Sequence, residues 1–312
     1  MNKKLSLGII QHSPIYLDAS RSLEKLLALI TSAAEKGAQI IVAGESWLSG
    51  YPAWLDYCPE AALWGHAPTK KVFAKMYQNS ICIPGRETEV LGNLARKYQI
   101  CIVLGANERV SQAAGNGTIY NSLIMIGPNG KLLNHHRKLM PTFTEKLLYG
   151  LGDAQGLKTV TTHAVQMGGL ICWEHWMPLA RQTLHNEGEH IHIALWPSVH
   201  EMHQIASRHY AFEGRCFVIA VGQLMRVSDV PDELHLPEAL QQTPDQLLLK
   251  GGSCIIGPDG QFELKPQWKE EGIFIHEIDP QRVYEERMTL DTSGHYQRPD
   301  IFRLRVKKER DH

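Results

Sequence analysis

The chain has 312 residues, of which 43% are hydrophobic and 21% charged, and its formal net charge is −1. This is the balance of an ordinary soluble globular protein, and a charge so near zero leaves no electrostatic footprint for nucleic acid or an anionic membrane surface. No apolar run is long enough to span a bilayer, and the basic Asn2-Lys3-Lys4 precedes only a short apolar strand that soon reaches Gln11, His12 and Pro14, which excludes a signal peptide.

Hydrophobic periodicity predicts a strand at residues 5 to 10 and a helix from Ser20 to Lys36, with Leu23, Leu26, Leu27 and Ile30 on one face. Gly37 ends that helix, and a strand follows from Gln39 to Val42. In IIVAGESWLSGYP, from Ile40 to Pro52, the β-branched run stops at Gly44 and the next residue is Glu45. An acid set just beyond an apolar strand is partly desolvated, which raises its pKa and suits it to accept and return protons near neutral pH.

A helix near Thr88 to Tyr98 feeds a strand from Ile100 to Leu104. Ser122 to Leu133 reads as a hairpin turning at Pro-Asn-Gly, and Ser253 to Leu264 as a second one turning at Pro-Asp-Gly. Beyond the first, HHRKLMPT places Lys138 just before a proline, where its charge can face a developing anion. Gly168 to Pro178, GGLICWEHWMP, sets Cys172 at the end of an apolar strand, a common way to present a nucleophile. Helices near Pro178 to Asn186 and His203 to Glu213 lead into strands near 191 to 196 and 216 to 221. Ser228 to Gln246, rich in Pro, Glu, Gln and Asp, reads as a long surface excursion.

Helix-strand units mixed with hairpins predict an α/β fold with a mixed sheet covered by helices. No segment has linker composition, so a single domain over 1–312 is expected, with a short tail from about 303. The six cysteines lack any CxxC pairing, which suits reduced thiols in a cytoplasmic protein. Taken singly, Glu45 is a solvated loop end, Lys138 a surface charge and Cys172 a buried structural thiol. Glu, Lys and Cys in that order, each at the end of an apolar strand, are a different proposition.

That set resembles the nitrilase superfamily, whose members carry a Glu-Lys-Cys triad in this chain order. The matching positions are Glu45 in GESWLSGYP, Lys138 in HRKLMPT and Cys172 in GGLICWEHWMP. The likeness runs from the opening strand, Leu5 to Gln11, through GHYQRPDIF at Gly294 to Phe302. CWE followed by His resembles the nitrilase branch, as do ALWPS (194–198) and FEGRCFV (212–218), whereas aliphatic amidases and carbamoylases usually show other residues after the cysteine.

The resemblance implies a four-layer α-β-β-α sandwich of two mixed sheets and hydrolysis of an organic nitrile to acid and ammonia, through a thioimidate and then a thioester on Cys172. Glu45 would be the base, Lys138 the anion stabiliser and the Trp173 backbone N–H a second donor. Glu145, in PTFTEKLLYG, resembles the family's second glutamate, which helps orient the site. Glu174, beside the nucleophile, is expected to support the fold or a helix start. No metal, nucleotide or redox cofactor is required. The partner is a small-molecule nitrile, and a homo-oligomer is implied, with the helices near Pro178 to Asn186 and His203 to Glu213 at its interface. The chain stops soon after GHYQRPDIF, which puts an extended filament in doubt.

Substrate selection is expected to fall to the loop Trp47 to Tyr57, through Trp47, Tyr51 and Trp54, and to Trp173, Trp196, His200 and Met202. Their aromatic and apolar character favours an organic nitrile over a charged substrate. An amidase or carbamoylase, or a cyanide-degrading enzyme, would use the same triad. A zinc hydrolase on His190, His192, His200, His203 and His209 with Glu201 and Glu213 is a separate rival, without an HExxH or paired-cysteine spacing to support it.

Overall fold

The computed structural model describes residues 4–112 and 114–310. In chain order the elements are β1 (Leu5–Gln11), α1 (Ala19–Glu35), β2 (Ile40–Ala43), α2 (Trp54–Tyr57), α3 (Ala67–Gln78), α4 (Arg86–Tyr98), β3 (Cys101–Arg109), β4 (Ile119–Ile126) and β5 (Leu132–Arg137). The second half contributes β6 (Val160–Thr162), β7 (Val165–Ile171), α5 (Pro178–His185), β8 (Ile191–Leu195), α6 (Glu201–Gly214), β9 (Phe217–Val221) and β10 (Leu224–Arg226). It closes with α7 (Glu238–Gln241), β11 (Leu247–Ile256), β12 (Phe262–Trp268), β13 (Gly272–Ile278) and α8 (Gln281–Arg287).

The strands form two mixed sheets. One runs β13-β1-β2-β3-β4-β5; the other runs β10-β11-β9-β8-β7-β6, with β12 paired to β11. Within the first, β1, β2 and β3 are parallel, and β13 and β4 lie antiparallel at its two sides. In the second, β7, β8 and β9 are parallel. Parallel neighbours need crossover connections, which α1 supplies between β1 and β2, α5 between β7 and β8, and α6 between β8 and β9.

Strand alternation sorts the apolar residues into layers. Leu7, Ile9, Val42, Val103, Leu123 and Met125 share the cluster between the sheets with Ile171, Ile193 and Ile219. Their in-between neighbours Ile10, Ile41, Ile102, Leu104 and Ile124 face the other way, onto Leu26 and Ile30 of α1 and Leu91 of α4. On the far side α5 and α6 cover the second sheet through Leu184, Tyr210 and Ala211. The order is therefore helices, sheet, sheet, helices, the layering expected above.

The excursion from Ser228 to Gln246 is only partly a surface feature. Its Val230, Leu234 and Leu236 are buried in a third cluster with Tyr51, Trp54, Leu248 and Leu249, so it braces the loop after β2. The helix α3, which has Val72 and Met76 as its buried positions, was not read from the sequence, nor was β13, whose register with β1 pairs Leu5 with Ile278.

Candidate active site

Because β3 is parallel to β2, and β4 and β5 each reverse direction, β2 and β5 point the same way and their carboxyl ends share an edge of the first sheet. Glu45 lies just past the end of β2 and Lys138 directly past the end of β5. Gly105 on β3 lets the Glu45 loop lie flat: a Cβ there would stand 2.3 Å from the Ser46 nitrogen. Cys172 is the first residue after β7, in a short 3-10 turn (Cys172–Trp176) rather than on the strand. Its φ is +52°, a left-handed backbone that costs a non-glycine residue about 1 kcal/mol or more and survives only where surroundings enforce it.

The three meet below the surface, Glu45 0%, Lys138 1% and Cys172 3% exposed. The Lys138 ammonium lies 3.0 Å from Glu45 Oε1 and donates to both oxygens of Glu145, at 2.9 and 2.8 Å. One oxygen of each glutamate and the Cys172 sulfur lie within 4.8 Å of one another. Those three are, among the described residues, the group able to gather on a metal ion, but the ammonium already occupies the cation position between the carboxylates. His190, His192, His200, His203 and His209 form no such group among the described residues.

Glu45 Oε1 also accepts from Asn121 Nδ2 at 2.7 Å, while Oε2 is buried with no hydrogen-bond partner among the described residues. Burial pushes the Glu45 carboxyl up to about 7, against the pull of Lys138 and with the help of Glu145. Burial acts against the Lys138 ammonium, yet the Cys172 sulfur, whenever it ionises, and the Glu45 and Glu145 carboxylates outweigh it and raise its pKa well above the ordinary lysine value. Burial also raises the Cys172 thiol well above its usual range, opposed by Lys138 and by the Trp173 backbone N–H. The arrangement is a neutral thiol, a carboxyl poised near neutral pH beside it and a fixed positive charge, which together can form a thiolate as it attacks.

Glu145 sits in a short 3-10 turn (Phe143–Leu147) and accepts from the Thr142 N–H at 2.9 Å and the Tyr51 hydroxyl at 2.8 Å. Glu174 ties the two halves of the site together. It accepts from the N–H groups of Ile171 and Leu139, each at 2.7 Å, and lies 3.0 Å from His136 Nε2. The support role expected of Glu174 thus has a definite form, joining the nucleophile turn to the lysine loop.

Cys172 opens into a cavity of about 290 Å³ whose lining includes Tyr51, Tyr57, Phe143, Trp173, His200 and Leu248. Of the residues expected to select substrate, Tyr51, Trp173 and His200 lie there. Trp47 does not, because it is fully buried with its indole N–H on the His12 carbonyl at 2.9 Å. Trp54 packs in the cluster with Tyr51, Leu248 and Leu249, 1% exposed. Trp196 is buried behind the lining, stacked on His175 and on His203. Met202 points to solvent at the start of α6, 58% exposed. Sequence reasoning missed Asn121 and Phe143, and singled out His203 as a rival metal ligand rather than as part of the cavity lining. Asn121 left one signal, a polar side chain inside the apolar strand β4.

A buried thiol is held with two carboxylates and an ammonium at the strand ends of a two-sheet sandwich. The comparisons give the family: residues 6–288 match the carbon-nitrogen hydrolase family model, and the chain belongs to that family. It is 33% identical to an aliphatic nitrilase of Sinorhizobium fredii (strain HH103), covering 98% of this chain and 96% of that protein. Nitrilase 2 of Arabidopsis thaliana is also 33% identical, over 96% of this chain and 88% of its own length. Among solved structures, a carbon-nitrogen hydrolase from Helicobacter pylori G27 superposes with a TM-score of 0.70 at 20% identity, covering 96% of this chain and 97% of that one, which speaks to the fold.

Proposed function

We propose that this enzyme is a nitrilase that hydrolyses an organic nitrile to the carboxylic acid and ammonia, with Cys172 as nucleophile, Glu45 as base and Lys138 as anion stabiliser. The observation that carries this most is the buried contact of Glu45, Lys138, Glu145 and Cys172 at the floor of an aromatic-lined cavity. Its match to nitrilases over nearly its whole length supports a nitrile over other carbon-nitrogen substrates.

In this mechanism Glu45 takes the thiol proton as Cys172 Sγ bonds to the nitrile carbon, and the nitrogen is protonated to give a thioimidate. Water activated by Glu45 adds to that carbon, the C–N bond breaks with release of ammonia, and a thioester remains. A second water, activated in the same way, displaces the thiol and frees the acid. Lys138 and the Trp173 N–H face the charge that builds on the attacked group, where fixed donors act most strongly in a site closed to water. Glu145, held by Tyr51 and the Thr142 N–H, fixes the ammonium in place.

A relative from Lupinus angustifolius, 33% identical over 96% of this chain and 85% of its own length, is named a bifunctional nitrilase/nitrile hydratase. Amide formed when the tetrahedral adduct loses the thiol instead of ammonia is therefore to be measured alongside the acid. The test is ammonia, acid and amide from a panel of aromatic, arylaliphatic and aliphatic nitriles, inorganic cyanide and matched amides, with Cys172→Ala as control. Acid and ammonia from nitriles, abolished in the variant, is the expected result; turnover of amides alone would move the enzyme to the amidase class.

Tyr51, Trp173 and His200 are the proposed substrate contacts. One catalytic domain with a short tail from about residue 303, working in the cytoplasm, fits the six free cysteines. Among the described residues no helix is long and apolar enough to cross a membrane. A homo-oligomer fits the exposed Trp176, Met177, Leu179, Met202, Ile205 and Phe212 on and beside α5 and α6, and sedimentation reads it directly.

A further inference from the structure

Behind the nucleophile lies a chain of buried titratable groups that the chemistry above does not use. His175 Nδ1 is 2.6 Å from the carbonyl oxygen of Cys172, and His175 Nε2 is 3.0 Å from His192 Nε2. His192 Nδ1 is 2.9 Å from Glu189 Oε1, and the Tyr210 hydroxyl donates to Glu189 Oε2 at 2.5 Å. Exposure is at most 2% along the whole chain. Gly168 on β7 makes the room for it, since a Cβ there would stand 1.9 Å from Glu189 Oε1.

The bonding pattern fixes the protons. A carbonyl oxygen only accepts, so His175 Nδ1 carries hydrogen; burial, with His192 beside it, lowers the His175 pKa well below normal, so its Nε2 is bare and accepts. His192 must then donate from Nε2. Burial likewise keeps His192 neutral, which leaves Nδ1 as an acceptor and requires hydrogen on the Glu189 oxygen that faces it. Burial pushes the Glu189 carboxyl up to about 7, in line with that requirement.

We propose that His175, His192 and Glu189 are positioning residues that hold the left-handed backbone of Cys172 through its carbonyl, and that the hold depends on one proton shared between Glu189 and His192. When that proton leaves for solvent, a carboxylate oxygen and a bare ring nitrogen face each other at 2.9 Å, and the line of donors that ends on Cys172 breaks. The other groups facing the Glu189 carboxyl are His185 of α5 at 3.9 Å, Tyr210 of α6, Cys216 ahead of β9, Glu187 and Arg287, which donates to the Glu189 backbone carbonyl, while Glu213 of α6 lies on the far side of His185. Facing His175 are Glu174 and His203.

The catalytic part of the test rests on the nitrilase function proposed above, so thiol reactivity is measured beside it. Glu189→Gln imitates the protonated acid at every pH, its amide donating to His192 and its oxygen accepting from Tyr210. The kcat and KM of wild type, Glu189→Gln, Glu189→Ala and His175→Asn are followed from pH 6 to 10, and Cys172 alkylation by iodoacetamide is followed by mass spectrometry over the same range. His175→Asn keeps a donor for the Cys172 carbonyl but cuts the link to His192. Wild-type kcat should fall on the alkaline side, and wild-type alkylation should lag behind that of Glu189→Gln there, since thiolate formation raises the reaction of both with pH. Glu189→Gln should match wild type within about twofold at the optimum and lose that fall, and His175→Asn should lose it too. Glu189→Ala should lose at least tenfold in kcat with KM changed by less than twofold. A Glu189→Gln profile that follows wild type, or equal losses in Gln and Ala, overturns the proposal. If the wild type turns over no nitrile, the alkylation profiles decide alone, which separates failure of the proton lock from failure of the assigned reaction.

Discussion

Removing the ammonium at position 138 tests the site where its energetics are largest. In Lys138→Met two buried carboxylates keep each other's company without the cation that lies 3.0 Å from one and 2.8 Å from the other. At an effective dielectric constant of about 20 each contact amounts to roughly 5 kcal/mol of attraction. The desolvation of Lys138 offsets much of this, and breaking a buried pair by removing one partner costs about 3–5 kcal/mol net. For a chain of this size, at about 2.1 cal/mol/K of unfolding entropy per residue, that lowers Tm by roughly 5–8 °C. One of the two glutamates then takes up a proton, which disables Glu45 as a base near pH 7, and the lost anion donor alone is worth about 10²–10³ in kcat. Thermal melts and nitrile turnover measure the two effects separately. The double variant Lys138→Met/Glu145→Gln relieves the unpaired charge, so it should regain most of the stability and none of the activity. A single variant that melts with wild type, or retains a tenth of its turnover, would refute this account of the site.

Three further outcomes follow from individual contacts. Because Glu45 titrates at about 7 and must be ionised to act as base, kcat/KM should climb about tenfold per pH unit on the acid side of 7, a limb that a pH-rate profile reads. Glu174→Gln sets an amide NH₂ against the Ile171 or Leu139 N–H, so it should lose about 2–3 kcal/mol in denaturant melts and most of kcat, whereas a Glu174 that only capped a turn would leave kcat unchanged. Burial opposes the Glu108 carboxylate, but His135 and Arg137 outweigh it and hold its pKa down at about 2. A folded value below the unfolded one gives stability present above about pH 4.5 and lost as pH falls through 2, on the order of 3 kcal/mol; Glu108→Gln should be less stable at pH 7 and lose less on acidification.

The parallel strands and their crossover helices were legible because burial on both faces makes runs such as IIVA and FVIAV unmistakable, and the turn chemistry of the two hairpins is local. The positions of Glu45, Lys138 and Cys172 at strand ends were legible for the same reason. What the sequence hid is orientation. Trp47, Trp54 and Trp196 have the composition of a pocket, but an aromatic near a strand end can face the cavity or the layer behind it, and these three take the layer behind. The short helix α3 has too narrow an apolar stripe to declare itself, and β13 pairs with β1 across almost the whole chain, a contact that no local pattern encodes. The spacing of His190 and His192 suggested metal ligands; in the fold His192 bonds to His175 and Glu189, and His175 to the Cys172 carbonyl.

The central claim, that Cys172 bonds covalently to substrate with Glu45 and Lys138 beside it, is tested most directly by acid-quenching the enzyme during turnover of a nitrile and weighing the Cys172 peptide. A mass addition corresponding to the thioimidate or thioester on Cys172, absent in Cys172→Ala together with all turnover, is the predicted result. An unmodified Cys172 in a turning-over enzyme, or a Cys172→Ala variant that still releases ammonia, would contradict it.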